Sequence, residues 1–192
     1  MASFLERVGA YFIDAIIISL ILTMINMGIP TDSELTARMT ELETQIMSNE
    51  VDREVVMEEY QNLVYDSQKS MVLSSSIGVA IYIVYFVVFQ TMYNGQTFGK
   101  KLLKLKVVSL DDTNASMSQM LLRYLFTASI FSGVLNIVLL YVMSKHAYMV
   151  TYLLLEVFEF IFIITSLLFV LYRKDKRGAH DLMANTKVIK EV

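Results

Sequence analysis

The chain has 192 residues, of which 55% are hydrophobic and 18% are charged, and its formal net charge is −3. Soluble domains carry about 45–50% apolar and about 25% charged residues, so this composition favours a membrane protein. The absence of cysteine excludes disulfides and thiolate chemistry, and two histidines give little basis for a zinc enzyme.

Four apolar stretches follow one another along the chain, at about 8–29, 71–93, 120–143 and 148–172. Each is long enough for a membrane crossing, which needs roughly 20 helical residues. Backbone amides in hydrocarbon must be paired internally, so each stretch is predicted to be an α-helix. The sequence therefore predicts an all-α membrane protein with four transmembrane helices, organised as one domain over 1–192.

The basic residues predict the orientation of these helices. Four lysines lie in the loop after the second stretch and six basic residues lie in the tail after the fourth, whereas 30–70 holds ten acidic and three basic residues. Loops rich in lysine and arginine face the cytoplasm. We therefore expect a multi-pass protein of the cell membrane with cytoplasmic N- and C-termini and an extracytoplasmic insert at 31–70.

The acidic insert at 31–70 has apolar residues at helical spacing, at Leu35, Met39, Leu42 and Ile46. We expect one or two amphipathic helices outside the membrane. Their acidic faces could concentrate cations or hold a partner, or they could form a solvated helical hairpin.

Two short segments alternate apolar and basic residues, at 102–108 and 186–190. Both lie on the predicted cytoplasmic side. They could pair as a small two-stranded sheet or lie as basic segments against lipid headgroups.

Asp14 and Arg123 are charged residues inside or near predicted spans, where a charge costs about 2.5–3.5 kcal/mol on insertion scales. Asp14 is a candidate ion or proton site. The alternative is a buried salt bridge with Arg123, at a comparable depth, that pins the first helix to the third. Arg7, seven residues before Asp14, is about 10 Å from it along the helix axis, which is long for a direct pair.

Glu156 and Glu159 share one face of the fourth stretch because they are three residues apart. Two carboxylates this close in a low dielectric cannot both ionise cheaply, so one of them tends to keep its proton. A site that exchanges a proton for a cation requires such a carboxylate. In the alternative interpretation Glu156 reaches outward to Lys145 or His146, and Glu159 forms hydrogen bonds inside the bundle.

Three motifs in a fixed order resemble the RDD family of membrane proteins, named for one arginine and two aspartates. The first is RVGAYFIDAIIISLI, the second is NGQTFGKKLLKLKVVSLDD followed by LLRYLF, and the third is KRGAHDLMANTKVI. The resemblance covers most of 4–192. It identifies Arg7, Asp14 and Asp181 as the signature residues, and Arg123 lies in the LLRYLF segment that follows the second motif.

The resemblance implies a small helical bundle, commonly bacterial. Such proteins are suspected of transporting small solutes or ions, with exchange of cations for protons proposed for some. It also implies that Arg7 and Asp181 pair and clamp the C-terminal tail under the first helix. Glu156 and Glu159 lie outside the signature, and the long acidic insert departs from the short connection expected of the family.

Two functions remain open from the sequence. The first is a transporter that exchanges monovalent cations for protons through Asp14, Glu156 and Glu159, and that forms a homo-oligomer because four helices rarely enclose a path alone. The second is a non-catalytic adaptor or regulatory subunit that holds a membrane protein partner through its acidic helices. We expect the protein to contact the lipid bilayer, and we expect no cofactor, no bound metal centre and no nucleic-acid partner. The sequence has no HExxH or phosphate-loop motif, so we expect no enzyme activity.

Overall fold

A computed structural model describes residues 1–29, 32–48 and 53–191, and most of these residues are helical. The helices are α1 (Phe4–Asn26), α2 (Ser33–Ser48), α3 (Arg53–Ser70), α4 (Val72–Tyr82), α5 (Gln90–Met92), α6 (Phe98–Leu102), α7 (Met117–Tyr124), α8 (Ile130–Val142), α9 (Lys145–Tyr172) and α10 (Ala179–Met183). The strands are β1 (Leu105–Ser109) and β2 (Thr186–Lys190). A π-helical segment (Ile83–Phe89) joins α4 to α5, so Val72–Met92 is one continuous helix.

Three of the described helices are long and apolar enough to cross a membrane, judged by length and composition: α1, the Val72–Met92 helix and α9. They correspond to the stretches predicted at 8–29, 71–93 and 148–172. The prediction of four spans is not confirmed, because 120–143 is not one helix. The 13 residues of α8 extend about 20 Å, against about 30 Å for the hydrocarbon core of a bilayer.

The break between α7 and α8 has a local cause. Ser129, directly before α8, has a φ of 50°, in the left-handed region that interrupts an α-helix. Arg123, near the end of α7, donates hydrogen bonds to Asp181 in α10 and to Thr186 in β2. Arg123 thus bonds α7 to the C-terminal tail shortly before the turn at Ser129.

The two strands pair, as the alternating pattern predicts. They are antiparallel, with Val107 opposite Val188, and both side chains are buried. The Ala2 amide donates a hydrogen bond to the Val188 carbonyl oxygen at 3.0 Å, so the N-terminus lies beside the last strand. We refer to this end of the bundle, with the sheet and both chain ends, as the termini end.

The insert is a pair of helices, α2 and α3, packed side by side. The Arg38 guanidinium donates to the Glu59 carboxylate at 2.7 Å, and Leu42 is fully buried between the helices. The Tyr65 hydroxyl, near the end of α3, donates to the Leu140 carbonyl oxygen of α8 at 2.9 Å. Residues 31 and 49–52 of the predicted insert lie outside the described residues. We call this opposite end of the bundle the insert end.

Candidate functional site

Asp14 lies fully buried in α1 and accepts three hydrogen bonds from two parts of the chain, the π-helical segment and the start of α6. Its Oδ1 accepts from the Tyr85 hydroxyl at 2.6 Å and from the Gly99 backbone amide at 2.7 Å, and its Oδ2 accepts from the Thr97 hydroxyl at 2.5 Å. The nearest cation is the Lys100 ammonium, 3.9 Å from Oδ2. Both carboxylate oxygens are therefore already occupied by groups of the protein.

The loop and short helix that meet Asp14 are shaped for close contact with α1. Thr97 is the N-cap of α6. Of the two following backbone amides, that of Gly99 donates to Asp14 in α1 and that of Phe98 donates to the Tyr85 hydroxyl at 3.3 Å. A Cβ atom at Gly99 would collide with the Ala10 carbonyl oxygen and lie 3.0 Å from the Asp14 carboxyl carbon. Only glycine lets the α6 backbone approach α1 closely enough to bond the carboxylate.

Asp181 forms a second buried cluster at the termini end. Its Oδ2 accepts from Arg7 Nη1 at 2.7 Å and from the Gly178 amide at 3.0 Å, and its Oδ1 accepts from Arg123 Nη1. The pairing of Arg7 with Asp181 is present. The pairing of Asp14 with Arg123 is wrong, because Asp181 reaches Arg123 from the C-terminal tail and Lys100 takes the position beside Asp14.

His180, next to Asp181, lies against the C-terminal half of α9. Its Nδ1 is 2.5 Å from the Ser166 hydroxyl, and its Nε2 is 3.5 Å from Asp181 Oδ2. Burial, together with the neighbouring arginine and lysine cations, holds the pKa of the His180 imidazole well below its usual value. The ring is therefore neutral at physiological pH and joins the tail to α9 by a hydrogen bond.

Glu156 lines a cavity of about 210 Å³ at the insert end, between α4, α8 and α9. Most of the side chains around it are polar, and they include Ser75, Ser132, Asn136 and Tyr152. The Asn136 Oδ1 atom is buried without a hydrogen-bond partner among the described residues. The predicted outward reach of Glu156 to Lys145 is not seen, since Lys145 Nζ lies 3.4 Å from Asp66 of the insert.

Glu159 lies one turn deeper along α9 and is 4% exposed. Its Oε1 atom has no hydrogen-bond partner within the described part of the chain, and it is not among the described residues that line the cavity. Glu156 and Glu159 thus share a helix face but differ in surroundings: the first faces a polar space and the second is enclosed by the bundle.

The model of the RDD family matches residues 1–185, nearly the whole chain. The chain belongs to the RDD family. No curated protein and no solved structure matches it.

In this RDD protein the three residues that the resemblance identified as the signature, Arg7, Asp14 and Asp181, form two separate buried clusters instead of one site. Asp14 fixes α1 to the loop before α6, and Arg7 with Asp181 fixes α1 to the tail. Each carboxylate is fully buried and each is supplied with donors by the protein. The signature therefore accounts for how the helices are held together at the termini end.

Sequence reasoning did not identify three residues that contact the Asp14 carboxylate: Tyr85, Thr97 and Lys100. Thr97 and Lys100 belong to the second family motif, which gave a signal for the segment but not for their roles. Tyr85 belongs to the π-helical segment, where the wider turn is a feature often found at functional positions. Nothing in its local sequence distinguishes it from Tyr82, the other tyrosine of the Val72–Met92 helix.

Proposed function

We propose that this RDD protein exchanges a monovalent cation for protons, with Glu156 as the carboxylate that binds the ion. The observation that carries the proposal is the polar cavity at the insert end, where Glu156 of the candidate span α9 comes together with Asn136 and three serine side chains. An ionisable group inside a membrane segment is costly and is by default a candidate for a functional site. Carboxylate and neutral oxygens are also the ligands that hard cations prefer.

Asn136 and Glu159 supply further support. The unpartnered Oδ1 of Asn136 lies on an amide that lines the cavity, where it is a free acceptor for a cation or its hydration water. Glu159, with an unpartnered oxygen one helical turn away, would hold the proton when Glu156 holds the cation. Asp14 is given no part in the exchange, because its oxygens already accept three hydrogen bonds.

The proposed path extends toward the outer side through the insert end, with both termini in the cytoplasm. A homo-oligomer in the cell membrane would close the sides of a path that one small bundle cannot enclose. Chemical crosslinking of the purified protein in lipid tests the oligomer separately from the flux.

The exchange is tested with purified protein in liposomes under an imposed pH gradient, with Na⁺, K⁺ or Li⁺ added in turn. Dissipation of the gradient that needs the cation, and that is lost in Glu156→Gln, is the expected result. Lys145→Gln, at the first residue of α9, is the matched control and should leave the flux unchanged. Absence of cation-dependent flux from folded, inserted protein would contradict the proposal.

A second candidate function is a non-catalytic adaptor that holds a membrane protein partner through the insert. The observation in its favour is the exposed apolar surface near the end of α2 and the start of α3, where Met47 is 83% exposed and Val55 is 63% exposed. If the insert is the binding element, Val55→Glu should release a co-purifying partner from native membranes. Thr44→Glu, at an exposed polar position of the same hairpin, is the control.

A further inference from the structure

A second cavity, of about 300 Å³, lies at the termini end and is separate from the proposed exchange site. It lies between the N-terminal half of α1 and the C-terminal half of α9. Its walls are largely apolar, with Val8, Ile163, Leu167 and Val170 among them. On the α9 side it reaches within about 3 Å of the helix end, since Val170 is two residues before Tyr172.

All the charged side chains that line this cavity are basic: Arg7, Lys100 and Arg123. Among the described residues, two carboxylates form ion pairs with these three cations. Asp181 pairs with both arginines, and Asp14 pairs with Lys100. Three cations against two carboxylates leave one positive charge in excess. The histidine in the lining does not change this balance, because it is neutral.

The arginines also carry N–H groups that no acceptor of the protein reaches. Arg7 Nε and Nη2 and Arg123 Nε are buried without a hydrogen-bond partner among the described residues, and Arg123 is only 4% exposed. Leaving such donors unpaired costs free energy in a desolvated site. An anion with several oxygens would satisfy them, and the planar guanidinium fits a phosphate group well.

The apolar walls decide which anion fits. A free phosphate would fill the charged end and leave the apolar part empty, whereas an amphiphile fills both. On either side of the cavity, α1 and α9 expose apolar surface at Val8, 41% exposed, and at Leu167, 38% exposed. These are residues that meet acyl chains in a membrane helix, so a lipid chain can enter sideways.

We propose that this cavity binds an anionic phospholipid, with the headgroup phosphate against Arg7, Arg123 and Lys100 and one acyl chain between α1 and α9. The bound lipid would neutralise the excess charge of the cluster that holds the C-terminal tail. It would thereby link the stability of the termini end to the anionic lipid content of the membrane. The proposal does not depend on the exchange function.

Native mass spectrometry of the detergent-purified protein tests the proposal. Three probes are titrated separately: phosphatidylglycerol, phosphatidylcholine with the same acyl chains, and inorganic phosphate. We expect one phosphatidylglycerol per chain, bound about tenfold or more tightly than phosphatidylcholine. Equal binding of the two lipids would overturn the proposal. Displacement of phosphatidylglycerol by inorganic phosphate would overturn the lipid assignment.

Leu167→Trp is the decisive variant, because it fills the apolar part of the cavity without touching the buried ion pairs. Leu168→Trp is its matched control: this neighbour is 45% exposed and is not among the described residues that line the cavity. Leu167→Trp should weaken phosphatidylglycerol binding at least tenfold while Leu168→Trp leaves it unchanged. Equal effects of the two variants would count against the site.

Arg7→Lys provides a second, independent variant. A lysine keeps a positive charge that can pair with Asp181 but lacks Nε and Nη2, the two donor nitrogens of Arg7 that have no partner among the described residues. We expect weaker binding of phosphatidylglycerol with little change for phosphatidylcholine. Unchanged phosphatidylglycerol binding by this variant, at a retained helical circular dichroism spectrum, would refute the role given to the guanidinium.

Discussion

The substitution Asp14→Asn tests whether the Asp14 carboxylate stabilises the fold or takes part in transport. The asparagine carbonyl oxygen can still accept from the Tyr85 hydroxyl and the Gly99 amide, which both bond Oδ1. The replaced Oδ2 loses the hydrogen bond from Thr97 and the negative charge 3.9 Å from Lys100 Nζ. The substitution therefore removes one charge-assisted hydrogen bond and the only carboxylate beside a largely buried ammonium.

The size of the effect follows from these contacts. Lys100 is 8% exposed, and its ammonium would keep only the hydroxyls of Tyr124, at 3.0 Å, and Thr97, at 3.4 Å. Breaking a buried ion pair by removing one partner costs about 3–5 kcal/mol. Tyr85→Phe, which removes one hydrogen bond to the carboxylate, should cost about 1.5–3 kcal/mol. Asp14→Asn is thus the more damaging of the two.

The assay is unfolding of the purified protein in detergent, followed by far-ultraviolet circular dichroism. This signal suits a chain without Trp or Cys, since neither indole fluorescence nor a thiol label is needed. Asp14→Asn should unfold at a lower denaturant concentration than Tyr85→Phe, and both below the original chain. If Asp14→Asn unfolds like the original chain and yet loses cation-dependent flux, Asp14 is a transport carboxylate and the structural interpretation is refuted.

Three further predictions use the same unfolding assay. His180 is neutral when folded and takes up a proton on unfolding, so stability should fall as pH drops below about 6.5, by up to about 1.4 kcal/mol per pH unit; His180→Phe should remove this slope and His146→Phe, at an exposed ring, should keep it. Gly99→Ala should cost about 1–3 kcal/mol, because its Cβ collides with the Ala10 carbonyl oxygen; stability equal to that of the original chain would show that α6 can move. Tyr65→Phe should cost about 1 kcal/mol by removing the hydrogen bond from the insert to α8, and no change would mean that the insert is held by packing alone.

Patterns of hydropathy and alternation were enough for most of the fold. They located α1, the Val72–Met92 helix and α9, and they found both strands of the small sheet. They failed at 120–143, because a window of apolar residues does not register how a single arginine is bonded. Arg123, next to the last residue of α7, is bonded to a carboxylate 58 positions later in the chain, a contact that hydropathy does not reveal.

Partners of buried charges were the harder part of the site. The resemblance to the family supplied the pair of Arg7 with Asp181, which spacing alone could not have given across 174 residues. Lys100 was one of four lysines in a basic loop, and nothing in its neighbours marked it as the cation that is buried. Burial and depth are set by tertiary packing, so the choice among similar cations could not be made from the sequence.

The carboxylates of this protein divide into two kinds by what already bonds them. Asp14 and Asp181 are fully buried and are supplied with donors from several parts of the chain, as expected of groups that hold a fold together. Glu159 has a buried oxygen without a partner among the described residues, and Glu156 faces a polar cavity. A carboxylate that exchanges an ion or a proton cannot have both oxygens held by fixed hydrogen-bond donors, because each exchange would break those hydrogen bonds. Arg7, Asp14 and Asp181, which the resemblance identified as the signature residues, are bonded in this chain as structural groups. Glu156 and Glu159 are therefore the carboxylates at which the proposed exchange is to be tested.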